Sequence, residues 1–437
     1  SKLVMILQPR RGKMKSEKLG LTADEFLDDH IGRAFDYVRS GRKCPSLPDK
    51  EFIDISLKRI FRANDSGYAF LQFLDEETGR PLHRATYFDA LHCSRRADVA
   101  EEVAAAIERN LARDLEADGV DFLKEFPELD GCAVYAFDGH NMAHASHDQR
   151  SPKGKHTAVN TIYGLDLHTG LTRHFAAAAN NGKKHHEWPK FREVYPSFHQ
   201  EVAKNARRVY NVVDMAYTDN QYWCDQKHRD GARLITRLKS SIEPTFQEPI
   251  SFDRGLAVNI GVKAQYCVGL NNAGTMRVVI YVDPETGNEY SFLTTDLDLP
   301  PGLIAWLYFL RWRIEKLFDT LENKLHEPKA WASGKVAQRF QTTCMAIAHN
   351  LLFYLRHLLG RDEGITERKV EKKRQKNLRR RETAAKQAGQ SLHPFLWNLP
   401  VVQLTVQFIR CFQNHLNKPR RLMDCLGRFR KSMETYL

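Results

Sequence analysis

Apolar residues at Leu303, Trp306, Leu307, Leu310, Ile314, Leu317 and Phe318 recur at three- and four-residue steps, which predicts a helix opened by Pro300-Pro301-Gly302. At ~100° per residue, Tyr308, Arg311, Glu315, Asp319, Glu322 and His326 share one stripe of that helix. Taken alone, such a stripe is a solvated face with internal i,i+4 pairs. Residues 1–130 also read as mainly helical: Leu21-Thr-Ala-Asp-Glu-Phe is a capped start, and Ser94–Leu115 is a long amphipathic helix with Ser94 as N-cap. At Cys132 the period changes. Cys132–Phe137 is an apolar β-run ending in Asp138-Gly139-His140, followed by Thr157–Leu165 and Leu171–Ala177 around the hairpin signal His168-Thr169-Gly170. A helical stretch, Glu187–Asn205, leads to a second buried run, Val209–Val213, which ends in Asp214. From Leu234 to Leu299 the pattern is almost purely β, with strands expected at Ala257–Val262, Gln265–Gly269, Met276–Val282 and Tyr290–Thr294. Val336–Leu359 is another apolar helix, and residues 392–437 regain an apolar pattern.

Strand, hairpin, helix, strand and late helix is the order of a ribonuclease-H-like mixed sheet, an α/β fold. The expected organisation is a helical N-terminal domain (1–130), a first core part (131–235), a β-rich insertion (236–303), the final core helices (304–360) and a basic linker with a C-terminal helical region (361–437). With 42% hydrophobic and 27% charged residues the chain has the composition of a soluble globular protein, and it contains no apolar run long enough for a membrane span and no visible signal peptide. Eight cysteines without a CxxC pair read as reduced thiols of an intracellular protein, and Cys224 with His228 is too little for a zinc site. The expected location is cytoplasmic.

The formal charge of +12 suits a polyanionic partner such as nucleic acid. Basic residues cluster at Arg10–Lys18 and Arg368–Arg381. Tyr87–Leu91 with the helix after it is a candidate helix-turn-helix reader of DNA, although such pairs are also common packing elements.

Acids at the ends of buried strands need an explanation, because a carboxylate near a core costs several kcal/mol unless paired or metal-bound. Singly, Asp138 and Asp214 are turn or cap residues. Together with Glu315 they are three hard oxygen ligands suited to Mg²⁺ or Mn²⁺, and two such ions promote in-line displacement at phosphorus. No GxxxxGK[ST] loop or GxSxG elbow is present. His140, His144, His147, and the His185-His186-Glu187 cluster have metal-like spacings but read more readily as phosphate contacts or polar surface.

Tyr308-x2-Arg311-x3-Glu315 resembles the signature of the insertion-sequence-four family of DDE transposases, whose full form adds a lysine seven residues on; here that position is Glu322. The resemblance spans roughly residues 130–360 and implies a catalytic and metal-binding triad of Asp138, Asp214 and Glu315 with two divalent ions, and Tyr308 and Arg311 orienting or contacting DNA. It implies double-stranded DNA partners, transposon ends and target, with at least a homodimer in the working complex, nucleoid association when bound, and cut-and-paste transfer that can pass through a hairpin. The C-terminal helices are where the dimer contact is expected. Lys153, Lys155, Lys183, Lys184 and Arg237, with Arg173, are candidates for a phosphate path, and Trp188, Trp223, Phe246, Tyr266 and Trp312 for holding a flipped base. Glu322 would repel phosphate where the family lysine contacts it, which keeps open a transposase-derived DNA-binding protein without cleavage; a ribonuclease-H-like nuclease is the third reading.

Overall fold

In the computed structural model, residues 17–42, 46–62, 66–79, 81–142, 145, 159–178, 187–270, 274–283, 287–325, 329–363 and 404–434 are described, with isolated positions between 376 and 389. One nine-stranded sheet organises the chain, in the order β3-β2-β1-β4-β5-β9-β8-β7-β6. Its first part is an antiparallel meander of β1 (Ala133–Met142), β2 (Val159–Asp166) and β3 (Thr172–Ala178). Two strands parallel to β1 follow, β4 (Val209–Val213) and β5 (Ala232–Arg237). This is the ribonuclease-H-like arrangement expected from the element order, and it places the C-terminal ends of β1 and β4 side by side.

The β-rich segment is a continuation of the same sheet and not a separate body. β9 (Glu289–Thr294) pairs antiparallel with β5, and β8 (Gly274–Val282), β7 (Val262–Leu270) and β6 (Phe246–Pro249) extend it outward. The strand expected at Ala257–Val262 is instead a 3₁₀ turn, Ala257–Asn259, before β7. Its apolar residues face α8 (Pro301–Arg311): Gly302 donates its N–H to Asn259 Oδ1 at 3.0 Å, so the run is apolar because a helix lies on it.

Alternation along each strand supplies the two faces. Val134, Ala136, Tyr210, Val212 and Ile235 point to one core, shared with α8, α10 (Lys335–Glu363) and the N-terminal helices. Phe137, Ile162, Phe175 and Val213 point to the other, covered by α6 (Glu187–Ala203) and α7 (Asn220–Asp230). Phe137 is fully buried there, with Phe175, Phe191 and Phe198 at ring distances of 4.9, 5.2 and 5.4 Å; rings of this size each contribute ~1.5–3 kcal/mol by burial.

The N-terminal region is helical as expected. α1 (Ala23–Phe35) opens with a full capping box from Thr22 and Glu25; α2 (Asp49–Arg62), α3 (Gly67–Thr78) and α4 (Arg84–Leu91) follow. The long helix α5 (Ser94–Ala117) has Cys93 at its N-cap, with no side-chain cap bond, where Ser94 was expected. It packs against α10, α1 and β3, and its Val99, Val103, Ile107 and Leu111 are buried in the same core as the sheet. α5 is thus packed into the core along its apolar face. The C-terminal helices Val406–Gln413 and Leu426–Glu434 fold back onto this region: Phe412 packs on Phe61 at 5.2 Å, and Leu422 N–H bonds Leu21 C=O at 2.7 Å. Their buried residues Phe408, Ile409, Phe412 and Phe429 pack within the chain.

Candidate active site

Asp138 lies within β1 and not at its end, because the strand runs four residues further while pairing with β2. The pairing of Phe137 with Val213 puts Asp138 next to Asp214, the first residue beyond β4. Asp138 Oδ1 accepts the Gly139 N–H at 2.9 Å, and its Oδ2 is bonded by the Arg311 guanidinium. Burial, against the pull of Arg311 and the Gly139 N–H and with the nearby charges of Glu187 and Asp214, lifts the Asp138 carboxyl to about 6.

The signature residues come from two helices. α8 ends at Arg311, Trp312 makes a bend, and α9 (Arg313–Asp319) continues before a π-helical turn at Thr320–Lys324. The single straight helix expected from periodicity is therefore bent once and then rewound. The stripe holds from Arg311 to Glu315, and the π turn re-aims the residues after Asp319, with Glu322 Oε1 3.6 Å from His140 Nδ1. Arg311 joins the acids: besides Asp138, its Nη2 stands 3.8 Å from Glu315 Oε1. Tyr308 is 8% exposed and packs on Phe292 of β9 at 5.2 Å, with the Arg311 guanidinium 5.4 Å from its ring centre. Burial holds its phenol above the usual range. Both signature side chains are turned inward, so tyrosine braces arginine and arginine bridges Asp138 to Glu315.

Among the described residues, no three His, Cys, Asp or Glu side chains come together as a metal-holding group; the Arg311 guanidinium stands between Asp138 and Glu315. The donor set still fits a hard divalent cation. Asp138, Asp214 and Glu315 offer only carboxylate oxygens, and a positive charge already balances Asp138, the role a cation takes in such a site.

The remaining candidates divide. Arg237, exposed at the end of β5, lies 5.5 Å from the Tyr290 ring on the Tyr308 side. Arg173 is a structural cation, paired with buried Glu108 at 2.6 Å and with Glu201 at 3.2 Å. Lys153, Lys155, Lys183 and Lys184, together with His144, His147, His185, His186 and His326, lie outside the described residues. His140 is 3% exposed and stacks on Phe318 at 4.8 Å; burial lowers it to about 4, so it is a neutral packing group with Nδ1 3.6 Å from Glu322 Oε1. Lys324 is buried and paired with Asp319 at 2.8 Å, so it does not stand in for the missing signature lysine. Of the aromatic candidates, Trp223 is fully buried, whereas Trp312, beside Arg311, is 61% exposed.

Glu187, expected only as one member of a polar His185-His186-Glu187 cluster, has a more specific place. Glu187, at the first turn of α6, accepts hydrogen bonds from Asn160 Nδ2 at 2.9 Å and from the Tyr217 hydroxyl. Burial, then the charges of Glu187, Asp138 and Asp214, hold the Tyr217 phenol well above its usual range, so it remains a donor. The signal available was Gly139: a strand glycine marks close approach of another group, and Glu187 is that group.

The family model described as "Transposase DDE domain" matches residues 133–351, half of the chain. No curated protein sequence matches it. Among solved structures, a piggyBac transposase in a synaptic complex with hairpin DNA aligns with 97% of this chain and 84% of its own at 9% identity, with a TM-score of 0.37. The family match starts at Ala133, the first residue of the strand that carries Asp138, and runs past Glu315 into α10; over the whole of this ribonuclease-H-like core, the chain belongs to the DDE transposases, enzymes acting on DNA.

Proposed function

We propose that the chain is a cut-and-paste transposase of the insertion-sequence-four group, with Asp138, Asp214 and Glu315 as its catalytic and metal-binding triad. The observation that carries this reading is the bridge from Asp138 through Arg311 to Glu315, with Asp214 on the adjoining strand. The Tyr308-x2-Arg311-x3-Glu315 spacing and the β-rich segment between β5 and α8 support the finer family assignment. A pair of divalent ions, Mg²⁺ or Mn²⁺, held by the three carboxylates would polarise the phosphodiester and ease deprotonation of the attacking water.

Within this reading each residue has a task. Asp138 and Asp214 are fixed by parallel strands and need no rearrangement. Arg311 neutralises Asp138 before DNA arrives, then turns to a DNA phosphate, for which its planar fork is suited. That turn frees Glu315 to approach the acid pair, as catalytic contacts often tighten only in the complex. Tyr308 holds the arginine stem through both positions. Arg237 lies where a DNA backbone near Tyr308 would pass, and Lys153, Lys155, Lys183 and Lys184 are proposed to continue that path. The partners are double-stranded transposon ends and target DNA, with a homodimer bringing two ends together.

The test is Mn²⁺-dependent nicking of DNA that carries the ends of the element, read beside DNA binding. Glu315→Gln is expected to lower cleavage by at least about 10³-fold, the scale of losing a group that acts directly on the reacting centre, while binding stays within about twofold. Equal cleavage by the variant would remove Glu315 from the triad. Joining of the freed 3′-hydroxyl to a second duplex separates a transposase from a nuclease.

A further inference from the structure

We propose that Glu187 is a positioning residue for the acid pair, a fourth carboxylate that fixes Asp138 and Asp214 from the opposite face of the sheet. The inference rests on the triad reading above and adds to it a residue outside the signature. Alternation along β1 places Phe137 and Gly139 towards α6 and Asp138 towards α8 and α9. Glu187 approaches from the α6 side. Its carboxylate lies flat against Gly139, so closely that a Cβ at that position would fall within the carboxylate group.

Three elements meet on this one side chain. Gly139 directly follows Asp138 in β1. Asn160, on β2, faces Asn141 across the β1 pairing and donates to Glu187 Oε1. Tyr217 closes the 3₁₀ turn that starts beyond Asp214, its N–H bonded to the Asp214 C=O at 3.0 Å and its hydroxyl to Glu187 Oε2. The backbone on either side of the acid pair is thereby tied to the first turn of α6. Without Glu187, Asn160 and Tyr217 would lose their shared acceptor, and the turn after β4 would lose its link to β1. Groups that orient metal ligands in this way typically matter by 10–100-fold in metal affinity. Gly139 is needed by the same geometry, since alanine there removes no carboxylate from the chain yet denies Glu187 its seat.

The experiment uses the full chain bound to DNA carrying its element ends. Mn²⁺ binding is followed by electron paramagnetic resonance of the free ion, with cleavage titrated against Mn²⁺ and melting recorded without metal. Glu187→Ala and Gly139→Ala are each expected to weaken Mn²⁺ binding by roughly 10–100-fold, with excess Mn²⁺ recovering most cleavage. Glu187→Gln, which keeps one acceptor oxygen, should fall between Ala and the native residue. Unchanged Mn²⁺ affinity in Gly139→Ala and Glu187→Gln overturns the proposal, as does a loss that follows melting temperature alone and does not respond to added Mn²⁺. If Glu187→Ala fails to fold, the other two variants decide. Asp214→Asn separates the two levels: if it too binds Mn²⁺ normally, the triad reading fails, whereas if it alone loses the ion, only the role of Glu187 does.

Discussion

In the proposed triad, Asp138 is the residue on which proton and metal would compete. Its carboxyl titrates at about 6, raised chiefly by burial, which outweighs the pull of Arg311 and the Gly139 N–H, with smaller contributions from Glu187 and Asp214. The ordinary value is 3.8, so the folded chain holds this proton more tightly than the unfolded one. The contribution of this group to stability is therefore least favourable above pH about 6 and improves as the pH falls towards 4, while loading of a cation worsens over the same interval. Mn²⁺ binding should weaken about tenfold per pH unit below 6 if this single proton is the competitor. The melting-temperature advantage expected for Asp138→Asn in metal-free buffer should narrow as the pH drops through 6. A flat Mn²⁺ affinity between pH 5 and 7 would show that the carboxylate is already ionised across that range. The side-by-side placement of Asp138 and Asp214 was legible from two buried β-runs, and Glu315 was a candidate from the spacing of one helix. Arg311 between them was not legible, because which partner a guanidinium takes depends on how two helices meet the sheet. Glu187 was visible only as part of a histidine-flanked cluster, since its true neighbours, Gly139, Asn160 and Tyr217, are remote in sequence.

Element by element, the strands that bury one face were readable by alternation, and Val209–Val213 has the expected bounds. Elements set by packing were less so. The apolar run at Ala257 looks like a strand yet is a turn pressed against α8, and the bend at Trp312 and the π turn at Thr320–Lys324 leave no periodic trace. Position along α8 matters because that helix delivers Tyr308 and Arg311. Its placement is governed by Gly302: a Cβ there would run into the Val258 carbonyl oxygen, a backbone group that cannot swing aside. Gly302→Ala must therefore push α8 away from the turn at Ala257–Asn259 and stretch the 3.0 Å bond from Gly302 N–H to Asn259. The expected cost is ~1–3 kcal/mol, as for other overpacked sites, read as a lower urea midpoint. Cleavage should fall further than stability alone explains, because a shift of α8 carries Arg311 with it. A variant with native midpoint and native nicking would mean that the turn yields without moving the helix.

At the scale of the molecule, sheet, β-rich extension and signature helices are joined through one buried acid. Asp296, fully buried in the loop between β9 and α8, accepts the Tyr210 hydroxyl of β4 at 3.0 Å and stands 3.4 Å from Arg208 and 3.5 Å from Arg233 of β5. Its other oxygen takes the N–H groups of Asp298 at 2.9 Å and Leu299 at 2.7 Å, which shape the approach to α8. Arg277 of β8, also buried, completes the joint by donating to the Leu299 carbonyl at 2.7 Å. β6–β9 extend the same sheet, and the N-terminal helices share the core beneath it, so strain at this joint passes directly into the β5–β9 pairing. Asp296→Asn keeps the shape and one acceptor oxygen but leaves Arg208 and Arg233 without their shared buried counter-charge. Breaking one side of a buried pair costs roughly 3–5 kcal/mol; Arg208 is partly exposed and pairs with Asp298 at 2.8 Å, so the lower end of that range is expected. If the sheet is one cooperative body, the loss appears as a single urea transition at lower midpoint with unchanged slope, and nicking per folded molecule stays native at low denaturant. A two-step transition, with the β-rich extension melting first, would instead divide the sheet at the β5–β9 pairing.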